Sequence, residues 1–151
     1  MAEDALLLRE LTPEDYDAAM ALWLGSAGVG RSQDDTREYM TAFLARNPGC
    51  SFAAEENGCL VGAIMAGHDG YRGYIHHTAV AEGCRGQGVG RRLTEAALQA
   101  LGDQGIHKVA LVAFETNTGG NAFWEKMGFT VREDLVYRNR RINNFEEGNP
   151  R

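Results

Sequence analysis

The sequence has few cysteines, no long apolar run and no excess of basic charge, and each shortage removes a class of protein. The three cysteines, Cys50, Cys59 and Cys84, are odd in number and lack a Cys-x-x-Cys pair, so they suggest neither a disulfide framework nor a metal centre. They read as reduced and structural, and no metal is expected. No apolar stretch approaches the roughly 20 residues of a membrane helix. The opening MAEDALLLRE carries acid where a secretory leader carries base, so the expectation is a cytoplasmic protein without a membrane partner. With 15 Lys and Arg against 21 Asp and Glu the formal charge is −6, which argues against nucleic acid as a partner because phosphate backbones are bound by positive surface. That balance suits a cationic acceptor instead.

What remains has ordinary soluble composition, 44% hydrophobic and 24% charged over 151 residues, enough to bury a core without staples. One domain is expected over residues 1–138, with a polar tail over 139–151. Ala5 to Leu11 reads as a strand. Thr12-Pro13-Glu14-Asp15 then opens a helix to about Leu24, since Thr12 can cap it and Pro13 suits its first turn. Gly25 to Ser32 is a break before a second helix, Gln33 to Arg46. Cys50 to Glu56 and Cys59 to His68 are strands joined by Asn57-Gly58, a strong hairpin signal. A second turn leads antiparallel into Tyr74 to Ala81. A helix from Val89 ends at the glycines Gly102 and Gly105. Lys108 to Phe114 is apolar on both faces and reads as a buried central strand. A short helix from Gly119 to Met127 and a last strand from Phe129 to Tyr137 complete the order β-α-α-β-β-β-α-β-α-β.

The chain is organised around Thr78 to Arg92, TAVAEGCRGQGVGRR, where a strand enters a glycine-spaced turn and then a helix. Gly86, Gly88 and Gly90 lack a Cβ, so positive φ and close approach to the backbone are open there. The unpaired N–H groups of the helix's first turn and the positive end of its dipole attract an anion, and Arg85, Arg91 and Arg92 add charge beside them. Arg91 stands where the dinucleotide fingerprint needs its third glycine, and Val89 stands where a Walker loop needs lysine. What is left is R-x-x-G-x-G at Arg85, Gly88 and Gly90.

This pattern resembles the pyrophosphate loop of the GCN5-related N-acetyltransferase superfamily, and a second segment agrees with it. Asn117 begins N-x-x-x-x-x-x-W-E-K-M-G-F, ending at Phe129, which is similar to that superfamily's N-x-x-[AG]-x-x-x-Y-E-K-x-G-F. The resemblance implies an α+β acyl-CoA N-acyltransferase fold, a mixed and mostly antiparallel sheet flanked by helices. It implies acetyl-CoA as cosubstrate and transfer of its acetyl group to a primary amine, of a small molecule or of a protein, by direct attack in a ternary complex. The coenzyme's contacts would be Thr78, Ala79 and Val80 on a splayed strand, then Arg85, Gly86, Gln87, Gly88, Val89, Gly90 and Arg91 around the pyrophosphate. Asn117 would orient the coenzyme arm, Trp124 would touch it, and the N–H of Val80 would serve the oxyanion.

The chain departs from the pattern twice. Trp124 replaces the tyrosine that protonates the leaving thiolate, and an indole N–H is no acid; Tyr71, Tyr74, Tyr137 or water would have to serve. Val112 stands where several protein-acetylating members carry a glutamate base, so the base must come from elsewhere. His76, four residues before Val80, matches a catalytic histidine of serotonin N-acetyltransferases and is the leading candidate, ahead of His77, Glu55 and Glu115. Strand alternation would put Tyr74, His76 and Thr78 on one face and Ile75, His77 and Ala79 on the other. Asp34, Asp35 and Glu38 read either as an attraction for the amine or as a solvated helix start. The acceptor site is expected between Trp23 and Glu38, the turn at Tyr71 and the final strand. The alternative function is a non-catalytic acyl-CoA sensor or interaction module of the same fold, and a homodimer through an exposed strand would suit either.

Overall fold

The computed structural model describes residues 6–25 and 34–143. Five strands form one sheet in chain order: β1 (Leu6–Glu10), β2 (Phe52–Glu56), β3 (Cys59–His68), β4 (Gly73–Val80) and β5 (Val109–Leu111). The first four are antiparallel neighbours and β5 joins β4 in parallel. The helices are α1 (Tyr16–Leu24), α2 (Arg37–Arg46), α3 (Val89–Asp103) and α4 (Thr118–Lys126). Leu93, Ala97 and Leu101 of α3 pack with Ile64, Ala66 and Ile75 on one face of the sheet. Trp23, Met20 and Met40 of α1 and α2 pack with Ala53, Ala63 and Ala79 on the other.

Local sequence accounts for most element ends. Asn57 and Gly58 both take positive φ, 52° and 82°, the turn that matches the twist of a two-residue hairpin. Thr36 caps α2 by accepting from Tyr39 N at 3.2 Å, so that helix starts at Arg37 and not in the segment before it. Arg9 ties β1 to its surroundings by donating to Asp15 at 2.8 and 2.9 Å and to Glu55 at 2.8 Å. The Arg9 hydrogen bonds hold the Asp15 carboxyl below its usual range against the opposing effect of burial. The expected break at Gly25 to Ser32 and the start at Gln33 lie, apart from Gly25, outside the described residues.

Two expected strands are corrected. Lys108 to Phe114 is no central strand: only Val109–Leu111 pairs, at the edge of the described sheet. Its outward apolar residues have another use, since Val112 and Phe114 are half exposed and wall a cavity. Phe129 to Tyr137 forms no strand. Val131, Leu135, Val136 and Tyr137 are 61–74% exposed; strand propensity reflects fit to a pleated, half-buried surface, and among the described residues no neighbouring strand offers one.

The alternation expected along β4 is broken as well. Met65 pairs with His77 and the next residue, Ala66, pairs with Ile75, so His76 is an extra residue, a β-bulge. Ile75 therefore faces α3 while Ala79 faces α1, although an unbroken strand would put them on one face. The bulge also turns His76 and His77 toward the same side, where both line the cavity beneath α1 and α2.

Candidate active site

The N-terminus of α3 follows a left-handed turn. Gly86 and Gly88 have φ of 79° and 84°, nothing lies within 4 Å of where their Cβ atoms would sit, and Gly88 is an N-cap without a side-chain acceptor. Gly90 differs: it is helical, and a Cβ there would make ordinary contact with the Phe123 ring of α4 at 3.4 Å. Among the described residues no acceptor meets the N–H groups of Val89, Gly90 or Arg91, as the first turn of any helix leaves them. Val89 itself is buried, and its side chain belongs to the core beneath α3.

The arginines are less available than their positions suggest. Arg85 Nε donates to Val80 O at 2.9 Å, and Arg91 pairs with Glu95 at 3.1 Å. Gln87 and Arg92 wall a small cavity of about 230 Å³ with Glu56 and Cys84.

Beside this turn β4 has an open edge. Ala81 N–H bonds Val61 O at 2.8 Å, so Ala81, Ala79 and His77 direct their backbone groups to β3, while Thr78 and Val80 direct theirs to the other side. Pairing with β5 stops at Ile75 and Leu111, and the two strands splay from there. Arg85 takes the Val80 carbonyl, and the Val80 N–H keeps its outward position. Thr78 Oγ1 is buried without a hydrogen-bond partner. An extended, polar arm entering this gap would find backbone groups and a hydroxyl that want partners, which is a fit for strand-like addition.

Asn117 and Trp124 have structural duties. Asn117 caps α4 by accepting from Gly120 N at 3.0 Å. Trp124 packs between Phe123 and Phe129, with ring centroids 4.8 and 5.3 Å away.

On the opposite face of the sheet a cavity of about 1070 Å³ opens between α1, α2, β4 and residues 137–143. It holds both histidines. His77 Nε2 lies 3.0 Å from Asp35 Oδ1, and its ring tilts against Trp23 at 4.9 Å. An ionised carboxylate only accepts, so Nε2 is the donor in this contact. His76 has no hydrogen-bond partner among the described residues; its ring meets Phe43 at 5.2 Å and Tyr74 at 4.6 Å. It is exposed toward the cavity, and the partial loss of water around its ring beside these aromatics lowers its pKa to about 4, with His77 adding repulsion and Asp35 opposing. Burial, with a smaller push from Tyr137, raises the pKa of Tyr74. Tyr71 lies outside the cavity, and residues 137–143 close one wall as an unpaired segment, with Arg141 clasping Asp34 at 2.8 Å.

Sequence reasoning therefore missed the His77–Asp35 pair and the wall made by the tail. The bulge that redirects His76 carries no recognisable residue signature, and Asp34 and Asp35 looked like any acidic helix start.

Comparison with known proteins agrees with this architecture. The profile described as "Acetyltransferase (GNAT) family" matches residues 11–129. An acetyltransferase of Pectobacterium atrosepticum is 27% identical over 139 residues, 92% of this chain and 98% of the relative. N-alpha-acetyltransferase 30 of Schizosaccharomyces pombe is 32% identical over 101 residues, 64% of this chain and 67% of the relative. The crystal structure of PaiA N-acetyltransferase from Thermoplasma acidophilum, in complex with coenzyme A, has a TM-score of 0.73 at 18% identity, covering 84% of this chain and 91% of that one. The chain belongs to the acetyltransferase (GNAT) family. It has that family's α+β acyl-CoA N-acyltransferase fold, a mixed sheet between helices, and among its described residues no helix is long and apolar enough to cross a membrane.

Proposed function

We propose that this protein is an acetyl-CoA-dependent N-acetyltransferase acting on a primary amine by direct attack in a ternary complex. The observation that carries the reading is a juxtaposition. The open edge of β4 and the uncapped turn of α3 meet, across one strand, a cavity that holds a histidine–carboxylate pair. Acetyl-CoA, the donor suited to that edge and turn, supplies an activated thioester.

The N–H groups of Val89, Gly90 and Arg91 would hold the pyrophosphate, with Gly86 and Gly88 keeping the approach clear. Gln87 and a reoriented Arg85 or Arg91 would add polar contacts. Thr78 and Ala79 would flank the pantetheine arm, and the Val80 N–H would stabilise negative charge on the carbonyl oxygen. Asn117 and Trp124 would act chiefly by fixing α4 beside the arm.

An amine is protonated near neutral pH, so a base must take its proton before attack. His76 is neutral there but weak: at about 4 it lies some six units below an alkylammonium at about 10.4. His77 is the better choice, because its contact with Asp35 at 3.0 Å and its packing on Trp23 hold the ring in one orientation within the cavity. Trp124 offers no acid, and water would protonate the departing sulfur, whose free thiol has a pKa of about 8.5.

The test is thiol release from acetyl-CoA across a panel of amines. Release that depends on the amine supports the reading. Coenzyme A binding without release for any amine would identify a sensor module instead.

A further inference from the structure

The cavity walls carry three arginines, Arg46, Arg140 and Arg141, and two aspartates, Asp34 and Asp35. Both aspartates are engaged, Asp34 by Arg141 at 2.8 Å and Asp35 by His77 at 3.0 Å. Arg46 and Arg140 have no acidic partner among the described residues. They come from different elements, Arg46 from the last turn of α2 and Arg140 from the segment after α4. Among the described residues the cavity lining therefore has three arginines against two aspartates, the reverse of the acidic balance of the whole chain.

The same cavity is also walled by apolar and aromatic side chains, Met20, Trp23, Met40, Phe43 and Tyr74. At about 1070 Å³ the cavity has room for much more than an alkylamine. A bare ammonium compound would leave both arginines without a counter-charge, and a guanidinium pairs with a carboxylate in a bidentate fork better than with any neutral acceptor.

We infer that the acceptor amine also carries a carboxylate, held by Arg46 and Arg140, with an apolar group against the aromatic wall. This inference rests on the acetyltransferase reading and narrows its substrate class. Two sources share the chemistry, a free amino acid with an apolar side chain and a peptide with a carboxylate near its amine.

The experiment measures kcat/KM by thiol release for matched acceptors with and without the carboxylate. The pairs are phenylalanine with phenethylamine, methionine with 3-(methylthio)propylamine, and an aspartate-containing peptide with its asparagine counterpart. We expect the carboxylate-bearing member to be preferred at least about tenfold in one pair, the gain of one charge-assisted hydrogen bond. Which pair shows it distinguishes the two sources. In the R46Q/R140Q double variant that ratio should fall to within about twofold, a comparison internal to one protein sample and so independent of its stability. Equal or better use of the carboxylate-free amines by the wild type would overturn the inference and leave acetyl transfer standing. A preference that survives the double variant would overturn the arginine assignment. Coenzyme A binding without turnover of any acceptor would remove the acetyltransferase reading and the inference with it.

Discussion

The turn that opens α3 is made of backbone, whereas the cavity around His77 is made of side chains drawn from α1, α2, β4 and the segment after α4. They lie on opposite sides of one strand. In the first, two glycines at positive φ determine where amides point, so a few adjacent residues suffice. In the second, a bulge at His76, a carboxylate 42 positions away in sequence and a salt bridge spanning 107 positions have to coincide. On the proposed reading a common donor would be served by a compact, repeatable device and the acceptor by a dispersed one, which is the division expected when loops and termini carry specificity.

The two halves can be pulled apart experimentally. His77→Ala should have the largest effect, lowering kcat by about 10² to 10⁴, the usual contribution of a positioned base. Coenzyme A affinity, measured alongside by calorimetry, should stay within about twofold, since His77 lies on the cavity side. Loss of both would mean that the halves are not separable. Gly67→Ala comes next. A Cβ there would lie 2.5 Å from Asn47 and 2.6 Å from Phe43, and Asn47 is buried while holding His68 N at 2.9 Å. Overpacking of this kind costs about 1–3 kcal/mol. Urea denaturation should show that loss, and acceptor KM should rise as Phe43 is displaced from His76.

The smallest effect concerns pH. Burial lowers His76 to about 4 in the folded protein, below the usual value of 6.5. Between those two values the unfolded chain binds more protons, so the contribution to stability is complete above pH 6.5 and is lost as pH falls through about 4. The ring's access to cavity water makes the change smaller than the shift alone would give. His76→Gln should flatten the difference between urea midpoints at pH 7 and pH 4.5, and an unchanged difference would relieve His76 of this role.

The same contrast explains what could be read from the sequence. Asn57-Gly58, Gly86 and Gly88 were legible because residue identity encodes an unusual φ, and the Arg85-to-Gly90 pattern and the segment from Asn117 to Phe129 were legible because their residues are local. Gly90 is helical, so the glycine spacing alone did not show which of the three glycines take positive φ. The length of β5 was not legible, because apolarity at Val112 and Phe114 records contact with something apolar without saying whether that is core or cavity. Phe129 to Tyr137 had the composition of a strand, but composition does not supply a partner. The shared face of His76 and His77 depends on a register shift against β3 that no property of the two histidines announces.

The most direct test of the central claim is a calorimetric titration of coenzyme A into the wild type and into Gly88→Val. If amides beyond a left-handed Gly88 hold the pyrophosphate, the wild type gives a saturable heat, and the variant, whose side chain disfavours φ near 84° by about 1–2 kcal/mol, binds on the order of tenfold more weakly. No heat with the wild type, or equal affinity in the two proteins, would contradict it.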